Sequence, residues 1–169
     1  MPSTSPFDDL IRKRANEMRA DAARNSVDWD ERRMWWQGRV GQLYDEVRAW
    51  FKPLTDDAVV SITTEVMSVR EETLGVYEIS KLIISLGGQS LELVPVASVI
   101  VGGFGRIDLN GPAGRAMLVL APRDVNSSMP ERRNSSQWYL APMESRTKLT
   151  MLSEEVFKQV FSDLMSLSS

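Results

Sequence analysis

The chain has 169 residues, 43% of them hydrophobic and 25% charged, with a formal net charge of −3, values that suit one domain able to bury a single core. It contains neither cysteine nor histidine, which removes disulfides, thiolate and imidazole metal ligands, cysteine nucleophiles and every catalytic scheme built on histidine. No apolar run reaches the roughly 18–20 residues that cross a bilayer, and the first residues are polar and acidic where a secretory signal needs an apolar core, so a cytoplasmic location is expected.

Residues 1–27 read as a helical arm and residues 28–169 as a single α+β domain. Ser5 can cap a first helix, with Pro6 at its first position and Asp8 three residues after the cap. The stripe Leu10, Ile11, Ala15, Met18 and Ala22 is thin, which points to marginal helicity or to docking against a partner. Asn25 to Val27 is expected to interrupt the helix, and Asp28, with Glu31 three residues on, to cap a second. From there Trp36, Val40, Leu43, Val47 and Trp50 recur at spacings of four and three, with Trp29 on the same face. Lys52-Pro53 supplies the expected stop. Trp29, Trp35 and Trp36 crowd one stretch. Core packing accounts for large rings at such positions, but Trp35 and Trp36 point about 100° apart on a helix, so the three are candidates for binding a partner.

Beyond Val59 the period changes to two. Val60, Ile62, Thr64 and Val66 share one side of a first strand, and Glu71 to Gly75 reads as a turn. Val76 to Leu86 forms a second strand whose phase slips between Ile79 and Leu82, as at a bulge. Gly87-Gly88 turns the chain into Gln89 to Val96. Ile107 with Leu109, Ala116 to Leu120, and Gln137 to Ala141 supply further strands, the last two separated by a polar loop over residues 123–136. Ser153 then caps a helix over Glu154 to Leu167, with Phe157, Val160, Phe161, Leu164 and Leu167 on its apolar face. Short turns between successive strands argue against parallel βαβ units. The expected fold is α+β: N-terminal helices, a strongly bent antiparallel sheet or small barrel of five to six strands, and a covering C-terminal helix. This element order loosely resembles a pleckstrin-homology-like barrel.

The glycine run Gly102, Gly103, Gly105, Gly111 and Gly114 lacks the lysine and following helix of a phosphate loop, and a strand follows it where a dinucleotide fingerprint needs a helix. Tight turns and close backbone approach explain it. Arg106 and Asp108 alternate with Ile107 and Leu109 and so share the face opposite the core. A cross-strand ion pair is the plain account, and a ligand-binding pair the sharper one. Glu71, Glu72 and Glu78 have no spacing that directs them at one cation, so no metal and no cofactor is expected. Residues 53–122 carry four basic and eight acidic groups, a poor surface for a phosphate backbone, so no nucleic-acid partner is expected and a membrane partner is disfavoured.

Leu74-Gly75-Val76-Tyr77-Glu78, Gly87-Gly88 with Leu93-Val94-Pro95, and Gly105-Arg106-Ile107-Asp108-Leu109 running to Gly111-Pro112 resemble segments of small bacterial proteins of unknown function that have a tryptophan-containing N-terminal helix. The resemblance covers most of residues 29–121 and implies no activity for any residue. The reading favoured by composition and pattern is a non-enzymatic protein-interaction module, with a protein partner or self-association. Its alternatives are a small-ligand-binding or weakly catalytic β-barrel domain, with a carboxylate or lysine base, and a membrane-surface module.

Overall fold

The computed structural model describes residues 5–72, 74–98, 103–122, 135–144 and 148–167, and for residues 21–28 the backbone alone. A single helix, α1 (Pro6–Asp56), opens the fold and runs for 51 residues, about 77 Å at 1.5 Å per residue. Its start is as expected: Ser5 Oγ accepts from the Asp8 amide at 3.1 Å. The interruption expected at Asn25–Val27 does not occur, and neither does a second cap at Asp28. Asn, Ser and Val are each only tenths of a kcal/mol poorer than the best helix formers, and no glycine or proline breaks the ladder there. Nor does Pro53 stop the helix, which continues to Asp56 with proline in its last turn. There the missing N–H costs one bond, and Thr55 Oγ covers the Lys52 carbonyl at 3.1 Å.

Strands β1 (Ser61–Glu71), β2 (Gly75–Leu86), β3 (Gln89–Ala97), β4 (Gly105–Gly111), β5 (Gly114–Pro122), β6 (Ser136–Pro142) and β7 (Thr150–Met151) follow, and then α2 (Glu154–Leu164). They form one antiparallel meander in chain order. Seven strands replace the expected five to six, because the two residues of β7 are too few to show a period. The sheet stays open, with β1 and β7 as its edges, and does not close into a barrel. Gly87, at φ 61°, occupies the first central position of the β2–β3 turn, where a type II′ hairpin needs positive φ. The polar segment at 123–134, with Ser127 and Ser128, and Gly102 lie outside the described residues.

One large core joins α1 and α2 to a single face of the sheet, with Trp36, Leu43, Leu82, Leu93, Leu118 and Phe157 among its fully buried members. A smaller cluster, Met117, Val119, Ala121 and Ala141, lies apart from it, with Tyr139 and Met143 packed against it. Two glycines let the helices approach. A Cβ on Gly105 would stand 2.0 Å from the Trp36 ring, and one on Gly111 would stand 2.5 Å from the Leu164 carbonyl oxygen. Close backbone approach thus explains both.

The phase slip in β2 is real but is not a bulge against β1. Tyr77 and Ile79 are buried on one parity, Leu82 and Ile84 on the other, while the β1–β2 register runs unbroken from Ser61↔Ser85 to Glu71↔Gly75. β3 pairs with β2 only from Leu82 onward. Beyond that point β1 and β2 form a two-stranded ribbon, which twists more strongly than a full sheet and turns its other face inward. The same turn leaves Val66, placed inward by the alternation, 65% exposed, while Val69 is buried. The irregularity in pairing lies instead between β3 and β4, at Pro95/Ala97.

Where β2 leaves β3, its free carbonyls meet one flank of α1. Gln37 Nε2 donates to the Glu78 carbonyl at 2.8 Å, and the Tyr44 hydroxyl donates to that of Ser80 at 2.7 Å, close also to that of Leu93 at 3.4 Å. On the opposite flank Arg39 donates to the Ser136 carbonyl of β6 at 3.0 Å. Burial lowers the basicity of Arg39, which Glu46 partly restores. Helix side chains thus satisfy the strand edges on both sides of the sheet's opening.

Candidate functional site

The two halves of α1 have the same pattern and opposite surroundings. At about 100° per residue, Phe7, Ile11 and Met18 fall within roughly 20° of Trp36 and share the face of Val40, Leu43 and Val47. Downstream, this face is core. Upstream, nothing among the described residues covers it: Phe7 is 68% exposed, Ile11 50% and Met18 61%, and Leu10, about 80° to the side, is 63% exposed. Phe7 extends the stripe by one turn beyond Leu10. The sequence reading does not include it, although the period of the stripe does.

The three tryptophans lie on the packed half. Trp36 is fully buried, its ring 5.9 Å from that of Trp138. Its indole nitrogen has no hydrogen-bond partner among the described residues. Trp35 is half-buried, edge-on to Phe104 at 5.9 Å, and Arg32 lies over both rings at 5.8 and 5.2 Å. Trp29 is partly buried against the core. In this structure, then, Trp36 is out of reach of a partner, and Trp29 and Trp35 are only partly exposed.

Beside Trp35 lies a polar knot that the sequence does not reveal. Glu71, at the end of β1, accepts from the Ser98 amide at 2.8 Å, from the Ser98 hydroxyl at 3.0 Å, and from the Tyr77 hydroxyl. Arg32 donates to the Ser98 carbonyl at 2.6 Å. Burial, then the bond to Glu71, pushes the Tyr77 phenol well above its ordinary range. The Ser98 contacts link segments distant in the chain, to Glu71 and to Arg32, so no local spacing announces them. The knot's evident work is to tie the β1–β2 tip and the end of β3 to α1. Glu72 and Glu78 are exposed, and among the described residues no three acidic side chains converge as metal ligands.

Arg106 and Asp108 do come together, along one strand instead of across two. Arg106 Nε meets Asp108 Oδ1 at 2.7 Å and Nη2 meets Oδ2 at 3.2 Å, with the side chains 19% and 17% exposed. Strand alternation places both on the face of Met117 and Val119, their partners on β5. Met143 Sδ stands 4.0 Å from Arg106 Nη2. The guanidinium and carboxylate satisfy each other in a forked pair, a geometry suited to stabilising the small cluster beside it.

A second apolar surface forms where the helices end. α1 finishes with Ala58 at φ 59°, the Ala58 amide on the Thr55 carbonyl at 3.1 Å and the Val59 amide on that of Leu54 at 2.9 Å. α2 finishes with Ser166 at φ 60°, its amide on the Asp163 carbonyl at 3.3 Å and the Leu167 amide on that of Ser162 at 2.9 Å. Both are Schellman motifs, in which the left-handed position favours glycine. Alanine and serine there hide the signal from a sequence reading. Leu54, Val59 and Leu167, projected by the two motifs, line a groove of about 310 Å³ with Phe51, Leu86 and Phe161.

Among the described residues no helix is long and apolar enough to cross a membrane. Comparison of the chain with family models, with curated proteins and with solved structures gives no match.

Proposed function

We propose that the chain is a non-enzymatic protein-interaction module whose contact element is the arm of α1 from Pro6 to Asp28. The observation that carries this reading is the exposure of Phe7, Ile11 and Met18 on a face in phase with the core face of the same helix. A contiguous apolar stripe of this kind marks an interaction surface. Arg106 and Asp108 give less support to ligand binding, because their charged atoms are engaged with each other.

The test compares the full chain with Phe7→Ser/Ile11→Ser/Met18→Ser by mass measurement of complexes kept intact during gentle purification. A stoichiometric protein complex, of like or unlike chains, that the triple variant loses while keeping its circular dichroism is the expected result. A wild-type chain found only as a free monomer would overturn the reading. So would capture by anionic vesicles in place of a protein, which would assign the arm to a lipid surface. The arm from Pro6 to Asp28 carries five acidic and five basic residues, and this absence of net positive charge disfavours that outcome.

A further inference from the structure

The C-terminal ends of α1 and α2 lie beside one groove. Each helix end carries the negative pole of its dipole, and neither last turn contains a basic residue. Asp56, Asp57 and Asp163 add formal charge to these ends, and no basic residue occurs from Pro53 to Val69. Of the lysines nearby, Lys158 is held by Glu154 at 2.9 Å and Lys52 by Asp56 at 3.1 Å. The groove between them is apolar and open to solvent at Leu54, Val59 and Leu167, which are 39%, 50% and 46% exposed.

The opposite end of α1 has the complementary surface. Leu10 and Ile11 are followed directly by Arg12, Lys13 and Arg14, the last also paired with Glu17 at 3.5 Å: apolar residues for the groove and cations for the acidic rim. From this match, and resting on the interaction reading above, we infer that the groove takes the N-terminal arm of a second copy, the two chains exchanging arms about a two-fold axis. At 1.5 Å per residue the arm spans about 34 Å and the packed half of α1 about 42 Å. Antiparallel α1 helices of two copies therefore let each arm run beside the other's packed half to its C-terminal end. The exchange is reciprocal, so the assembly closes as a dimer instead of extending as a filament. Leu10 and Ile11 then meet the second copy's Val59 and Leu54, and the basic triplet meets its Asp56 and Asp57.

The chain lacks cysteine, so introduced thiols report the contact directly. Leu10→Cys protein mixed with Val59→Cys protein is expected to give, under mild oxidation, a disulfide-linked species of twice the chain mass. Leu10→Cys mixed with Val76→Cys, an exposed position on the ribbon, is expected to give none. Wild-type chain is expected to sediment as a dimer, and Phe7→Ser or Val59→Glu to raise its dissociation constant about ten- to hundredfold. Both positions are at least half exposed, so neither change removes a core residue. A monomeric wild type, or equal crosslinking of Leu10→Cys with both partners, would overturn the inference. If Phe7→Ser abolished a complex with a different protein while Val59→Glu left it intact, the interaction reading would stand and the arm exchange would fall.

Discussion

The two halves of α1 are one helix with one apolar phase, and they differ only in what lies against that phase. From Trp36 to Phe51 the stripe meets strands and α2 and is buried almost completely; from Phe7 to Met18 the same stripe is at least half exposed at its large side chains. Periodicity therefore reports that a face will be covered, without reporting by what. The packed half is stabilised within its own domain, whereas the arm has helical propensity, a good cap and, among its described residues, large apolar side chains left exposed. An isolated helix of that length is marginal in water, so docking is what would fix it.

Substitution should separate the halves most sharply at their matching positions. Trp36→Ala removes a fully buried ring and is expected to cost about 3–5 kcal/mol, whereas Met18→Ala, in phase with it, should change the stability of the dilute chain by less than about 0.5 kcal/mol. Urea unfolding at low protein concentration measures both. A Met18→Ala loss as large as a core truncation would mean the arm packs on its own domain.

The next largest effect is expected at the flank of the packed half. Tyr44→Phe removes the hydroxyl donor from the part-buried Ser80 carbonyl and should cost about 1–3 kcal/mol. Burial also raises the Tyr44 phenol well above its ordinary range, as it does that of Tyr77. The unfolded chain therefore releases these protons near pH 10 while the folded chain retains them. Stability should fall as pH rises above about 10, by up to about 1.4 kcal/mol per pH unit for each tyrosine, and Tyr44→Phe should make that slope shallower. Alkaline unfolding curves of the two proteins check this.

Two small gains should come from backbone changes in the packed half. Ala58→Gly relieves the left-handed position that ends α1, and Gly38→Ala fills a solvent-facing position where a new Cβ meets nothing within 4 Å. Each is expected to raise stability by about 0.5–1 kcal/mol in thermal unfolding. The opposite sign at either site would mean that its conformation is not the one described.

These effects follow the line between what local sequence encodes and what it does not. Ser5 and Ser153 as caps, the alternation of β3 and β4, the Gly87-Gly88 turn and the face of α2 as far as Leu164 depend on residues within a few positions of each other, and were legible; Leu167, expected on that face, lies beyond the helix end and is 46% exposed. The length of α1 was not legible. Asn25, Ser26 and Pro53 are breakers only on average, and a helix held by a sheet further along tolerates them. Nor was the strand ribbon, whose inward face is chosen by the place where β3 departs. Of the candidate sites, the sequence placed Arg106 and Asp108 on one face but not in one ion pair. It showed the tryptophans but not that the exposed part of their stripe lies upstream of them. The groove stayed hidden, because alanine and serine stand where glycine marks a helix end.

The central claim is that one apolar face serves as core along half of α1 and as contact surface along the other. Amide hydrogen exchange, followed along α1 at low and high protein concentration, tests it most directly. The account predicts slow exchange from Trp36 to Phe51 at both concentrations, with Phe7 to Arg19 exchanging rapidly when dilute and slowly when associated. Equal protection of the arm at both concentrations would contradict it.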